Sequence, residues 1–247
     1  VSLSGDGTTL AVAAVREDSN ASGIDGNQAN DSATNAGAVY VFARAAGTWA
    51  QQAYVKASNT WANDTFGCSL AISGEGSRMI VGAEEEDSGS SGINGDQGDT
   101  ATSVGAAYLF QRTAGVWAQE AYVKPLLPSA NSRFGHQVAM SGDGLVFVVS
   151  ATMEDSNATG LGGRSTGTAR DSGAAYLFRF GATGWAEEVR VKASNTEAGD
   201  FFGVSLALSG NGATLAVSSA IEDSSATGIG GNQLNNDASD SGAVYLF

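Results

Sequence analysis

The sequence predicts an all-β protein made of tandem copies of one module of about 68 residues. Two observations carry that reading. The first is self-similarity at a fixed step. Ser4-Gly5-Asp6-Gly7 returns as Ser73-Gly74-Glu75-Gly76, Ser141-Gly142-Asp143-Gly144 and Ser209-Gly210-Asn211-Gly212, and Glu17-Asp18 returns as Glu86-Asp87, Glu154-Asp155 and Glu222-Asp223. The second is local pattern: short apolar runs separated by glycine-rich turns, with no helical periodicity of useful length.

Each module holds four strand-like runs. In the second copy the first is 66–73, with Leu70 and Ile72 on one face. A Gly-Glu-Gly turn of the hairpin type leads to the second run, 79–83. A long polar loop leads to the third, 106–111, and a turn at Ala114-Gly115 leads to the fourth, 117–124. Four short antiparallel strands, repeated, suggest propeller blades or a solenoid. In the third run of the first copy, Val39, Tyr40, Val41 and Phe42 are all apolar, so both faces of the sheet must be covered. Blades stacked face to face meet that demand, and the predicted architecture is β-propeller-type blades of four antiparallel strands. The blades run over 1–60, 61–128, 129–197 and 198–247. On this alignment the first blade lacks its inner-strand lead and the fourth its outer strand. Residues 243–247 should then present unpaired backbone, and the expectation is that the ends are not native termini or that they meet another chain.

The chain has 247 residues and a formal charge of −14, which argues against nucleic acid as a partner. Cys68 is the only cysteine, so no intrachain disulfide can form. The longest apolar run, 145–151, is too short to span a bilayer.

Two residue types keep one slot. The only lysines, Lys56, Lys124 and Lys192, fall at the end of the fourth strand, where they read as edge guards against unwanted strand pairing; a solvated surface position is the other reading. Trp49, Trp117 and Trp185 fall at its start and read as buried anchors between blades. Trp61, in a connection, is better suited to surface contact.

Phe66-Gly67, Phe134-Gly135 and Phe202-Gly203, with Val81-Gly82-Ala83 and Gly105-Ala106-Ala107-Tyr108-Leu109-Phe110, resemble the FG-GAP repeat of integrin α chains and of secreted bacterial arrays. The resemblance spans nearly the whole chain. It implies a propeller, an extracellular or cell-surface location and a role in adhesion or scaffolding. The family's Asp-rich calcium loop between first and second strands is not matched. Asp6, Glu75 and Asp143 offer one carboxylate each there, and Asn211 none.

About two-thirds of the acidic residues lie instead in the loops between second and third strands. Asp18, Asp25, Asn27, Asp31, Asp87, Asp96, Asp99, Asp155, Asp223, Asn232 and Asp237 are the candidate calcium ligands, because hard cations take several oxygens from carboxylates, amides and carbonyls. The competing reading is a solvated acidic rim that maintains solubility. The third loop is weaker in acid, with Arg164 and Arg170 offsetting it. Cys68 and His136 share one slot with Val204, which points to packing rather than catalysis. The glycine run 160–163 lacks the strand-to-helix setting of a phosphate loop.

The expected function is therefore an extracellular structural or adhesion scaffold, a building block of a surface fibre or multimer, that binds a protein or glycan ligand or copies of itself. The alternative is the propeller platform of a secreted hydrolase or carbohydrate-binding protein.

Overall fold

The computed structural model describes residues 1–163 and 168–247. Among them there is no helix, and the chain forms four antiparallel sheets. The first contains β1 (Ser2–Leu3), β2 (Thr9–Ala14), β3 (Ala38–Ala45) and β4 (Thr48–Val55). The second contains β5 (Leu70–Ile72), β6 (Arg78–Ala83), β7 (Ala106–Thr113) and β8 (Val116–Val123). The third contains β9 (Phe134–Met140), β10 (Val146–Ala151), β11 (Ala174–Gly181) and β12 (Gly184–Val191), and the fourth β13 (Ser205–Leu208), β14 (Leu215–Ser219) and β15 (Ala243–Leu246). Strands pair in chain order within every sheet, as in a propeller blade. The tight turn joining third and fourth strands works because Ala114 and Gly115 both adopt positive φ, +51° and +85°, which matches the twist of a hairpin.

The first strand of the second blade is shorter than its sequence suggests. Gly67 has φ +95°, and Cys68 N–H donates to Thr65 O at 3.0 Å, so the Phe-Gly lead is a turn and only Leu70–Ile72 pair.

The core is not one mass but three apolar clusters, each lying between neighbouring sheets. The cluster between first and second blades joins Val39, Val41 and Val55 to Val81, Tyr108 and Phe110. Phe66, fully buried, meets Tyr108 and Phe110 edge-on at 5.3 and 6.1 Å. Phe134 and Phe202 do the same one and two blades on. The Ser-Gly-x-Gly turns join the blades by backbone alone. Asp6 N–H donates to Gly74 O at 3.1 Å, Gly74 N–H to Gly142 O at 2.8 Å, and Gly142 N–H to Gly210 O at 2.8 Å. A Cβ at Gly74 would lie 2.9 Å from the Gly142 oxygen, so this turn needs glycine for the close approach.

The tryptophan slot is filled unevenly. Trp117 is 3% exposed and its Nε1 donates to Gln52 Oε1 of the preceding blade at 3.0 Å. Trp185 makes the same reach to Glu120 Oε1 at 2.9 Å and packs against the core of the second and third blades. Trp49 is 40% exposed, which corrects its expected burial. Trp61 is 52% exposed, as its place in a connection suggests. Trp117→Ala should therefore cost about 3–5 kcal/mol in denaturant unfolding. Trp49→Ala should cost less than about 1 kcal/mol, and equal losses at the two positions would refute the interblade anchor.

Candidate functional site

The chemistry-bearing residues converge where each second strand runs into its long loop. Every blade carries Glu-Asp-Ser there, and each of the three side chains has a fixed task.

The aspartate holds the far end of its own loop. Asp18 Oδ1 accepts the Asn35 amide at 2.7 Å, Asp87 the Ser103 amide at 2.6 Å, Asp155 the Asp171 amide at 2.8 Å and Asp223 the Asp240 amide at 2.8 Å. All four recipients have positive φ, between +44° and +55°, a conformation that costs a non-glycine residue and needs such support. In three blades the serine hydroxyl bonds to carbonyls or donors within the loop: Ser19 Oγ donates to Asn27 O, Ser88 Oγ to Asp96 O and Ser224 Oγ to Asn232 O. Ser156 differs, turning its hydroxyl to Glu154.

The glutamate is ion-paired in the first three blades and takes a neutral amide in the fourth. Glu86 accepts Lys124 Nζ at 2.7 Å, Tyr122 OH at 2.7 Å and Asn59 Nδ2 at 2.9 Å. Asn59 comes from the connection leaving the preceding blade, and its own oxygen accepts Tyr108 OH at 2.6 Å. In the first blade Glu17 takes Lys56 and Tyr54 at 2.7 and 2.6 Å. In the third Glu154 takes Lys192 at 2.8 Å and Arg190 at 3.1 Å. In the fourth Glu222 accepts Asn195 Nδ2 at 2.8 Å. Burial lowers the affinity of all three lysines for their protons, and the facing glutamates oppose that.

This corrects the edge reading of the lysines. Lys56, Lys124 and Lys192 are fully buried. Their strand edge needs no guard because the loop folds back along it: Ile24 bridges Val55, Ile93 bridges Val123 and Leu161 bridges Val191. The glycine run at 160–163 serves this return, with Gly160 N–H donating to Ala193 O and Gly162 N–H to Arg190 O. Arg164 lies outside the described residues.

The calcium candidates are largely committed to these backbone tasks. Besides the four clamping aspartates, Asp25 Oδ1 accepts Tyr54 N–H at 2.9 Å. Asn27, Asp96 and Asn232 accept the amides of Ala29, Gly98 and Leu234, each two residues on. Asp31 and Asp237 are exposed, and Asp99 lies near Asp87, whose charge joins burial in raising its pKa. Among the described residues no three His, Cys, Asp or Glu side chains converge as a metal would require.

The Cys68–His136 slot also reads as packing. Cys68 Sγ lies 3.3 Å from Gly135 O, and burial, aided by the Glu84 charge, pushes its thiol up to about 12, far from the thiolate a nucleophile needs. His136 Nδ1 lies 2.6 Å from Glu84 Oε2, and that bond holds the carboxyl below its ordinary range.

The sequence profile of the FG-GAP repeat family matches residues 49–110 and 185–247, together just over half of the chain. The protein belongs to that family. No curated protein matches the chain. Among solved structures, a candidate 6-phosphogluconolactonase from Bacteroides uniformis aligns over 93% of this chain and 68% of its own, at 11% identity and a TM-score of 0.42, a likeness too loose to argue from.

Two tests follow from the buried charges. Lys124→Met should cost about 3–5 kcal/mol, because it strands Glu86 uncompensated, while Glu86→Gln combined with Lys124→Met should recover much of that loss. Equal costs for the single and double variants would refute the pairing. The second concerns Asp64, which is 2% exposed and whose carboxyl burial pushes up to about 8. A folded-state pKa raised above the unfolded value favours the folded protein at low pH. That advantage is lost as pH rises from about 4 through about 8. Asp64→Asn should remove up to roughly 1.4 kcal/mol per pH unit of slope across that window. Unfolding midpoints at pH 5 and pH 9 that fall in parallel for both proteins would refute it.

Proposed function

We propose that this chain is an extracellular structural or adhesive scaffold, a building block that presents the exposed parts of an acidic loop rim to a protein or glycan surface. The observation that carries this reading is the recurrence of the Glu-Asp-Ser segment in every blade, with its aspartate holding the loop each time. The residues that could do chemistry recur in every blade and are spent on holding loops and blades together, whereas an enzyme sets one blade's rim apart from the others. Membership of the FG-GAP repeat family supports the same reading, and no helix among the described residues is long and apolar enough to cross a membrane. The charge of −14 favours a basic partner surface, approached through the exposed Asp31, Asp96, Asp99 and Asp237.

Adhesion of the purified chain to immobilised protein and glycan surfaces tests the proposal. Saturable binding is expected, weakening as salt rises and falling several-fold when Asp31, Asp96, Asp99 and Asp237 are changed together to Asn. Absence of adhesion, together with hydrolytic turnover abolished by Arg170→Ala, would replace the scaffold with an enzyme.

A further inference from the structure

At the boundary of the first and second blades, an amine and a side-chain amide share one carboxylate. Lys124 Nζ donates to Glu86 Oε2 at 2.7 Å, and Asn59 Nδ2 donates to Glu86 Oε1 at 2.9 Å. Two further bonds hold the amide in place. Its Nδ2 also donates to Gln97 O at 3.3 Å, and its Oδ1 accepts the Tyr108 hydroxyl at 2.6 Å. Lys124, Tyr108 and Tyr122 are fully buried and Glu86 is 1% exposed, so bulk water does not reach the carboxylate or the amine.

Each group has the property that exchange of one amide for another needs. Burial lowers the proton affinity of the Lys124 ammonium, which brings the neutral, nucleophilic amine within reach. Burial, aided by the Glu86 charge, pushes the Tyr108 phenol far up, so it stays a donor. It is aimed at the oxygen where charge develops when an amine adds to Asn59 Cγ. Glu86 touches both the nitrogen that must lose protons and the nitrogen that must gain one, as a proton shuttle requires. The third blade lacks this set. Leu127 stands in the place of Asn59, and Arg190 takes the second oxygen of Glu154.

We propose that Lys124 and Asn59 join in an isopeptide bond across the blade boundary, with Glu86 as the proton shuttle. Glu86 takes a proton from the Lys124 ammonium. The freed Nζ attacks Asn59 Cγ and forms the new C–N bond, and Tyr108 stabilises the oxyanion. Glu86 passes its proton to Nδ2, the Cγ–Nδ2 bond breaks, and ammonia leaves. Nζ sheds its extra proton to Glu86, so the product holds a neutral amide and a neutral carboxyl. The reaction removes two buried charges that are costly to hold away from water. The bond ties the connection leaving the first blade to the outer strand of the second. It stands apart from the adhesive role of the acidic rim and does not depend on it.

Mass spectrometry of the 247-residue chain after incubation at neutral pH tests the proposal. The intact chain should be lighter by one ammonia. A digest should yield a branched peptide joining Asn59 to Lys124, with Lys192 recovered unlinked. Tyr108→Phe, which keeps the ring and its packing, should slow linkage roughly a hundred-fold. Glu86→Gln should slow it by at least as much. A chain of full mass, with Asn59 and Lys124 both recovered unlinked, overturns the proposal. So does ammonia loss traced to a succinimide at Asn94-Gly95 with no branched peptide, and so does linkage that runs as fast in Glu86→Gln as in the unaltered chain.

Discussion

The buried glutamate–lysine pair is the constraint on which the blade geometry rests. Removing two charges from water costs several kcal/mol each, and an ion pair alone seldom returns the whole of that. What the pair supplies here is direction. Glu86 receives donors from the outer strand, through Tyr122 and Lys124, and from the preceding connection, through Asn59. With the Ser88 amide as a further donor, these bonds tie the loop entry to the outer strand and to the preceding connection. The aspartate beside it then fixes the loop exit. Loop and outer strand are thus registered by two adjacent side chains, and the long polar loop leaves the sheet with a defined course.

Stacking places the same constraint between blades. Each sheet is apolar on both faces, so a blade is stable only where another covers it, and the energetics run along one dimension. Asn59 and Asn195 each bind the glutamate of the following blade, and the Gly74, Gly142 and Gly210 turns hand a hydrogen bond from one blade to the next. The tryptophans are unevenly buried. Trp117 and Trp185 each donate to a glutamine or glutamate on the outer strand before them, while Trp49 is 40% exposed.

The all-β class and the order of the strands were legible because period-2 patterning and a 68-residue repeat are local features of the sequence. The role of the acidic loops was not. Glu17 and Lys56 lie 39 residues apart, and composition alone assigns one to a rim and the other to an edge. A signal did exist: every lysine sits 38 or 39 residues after a Glu-Asp glutamate, in three copies out of three. Constant separation of opposite charges on neighbouring elements of a repeat indicates a pair. Burial of that pair could not be read, because the loop's return along the outer strand depends on Gly23, Gly92 and Gly160, which look like ordinary loop glycines. The backbone role of the aspartates was hidden for a related reason. The oxygens that suit calcium also suit backbone amides, and a loop with several positive-φ residues has many amides to satisfy.

The third blade shows that one set of donors at the glutamate can stand in for another. Its incoming connection carries Leu127 where the second and fourth blades receive Asn59 and Asn195, so the neutral amide is lost. The outer strand carries Arg190 where the others carry Tyr54 and Tyr122. Arg190 gives Glu154 a charge-assisted bond at 3.1 Å and anchors the returning loop through Gly163 O at 3.0 Å, and Ser156 adds a third donor at 2.9 Å. The two departures compensate each other within one network: leucine removes a donor, and arginine with serine restores the number. Leaving a buried carboxylate short of donors costs a few kcal/mol, a large share of a protein's net stability, so in this blade the loss of one donor is offset by others.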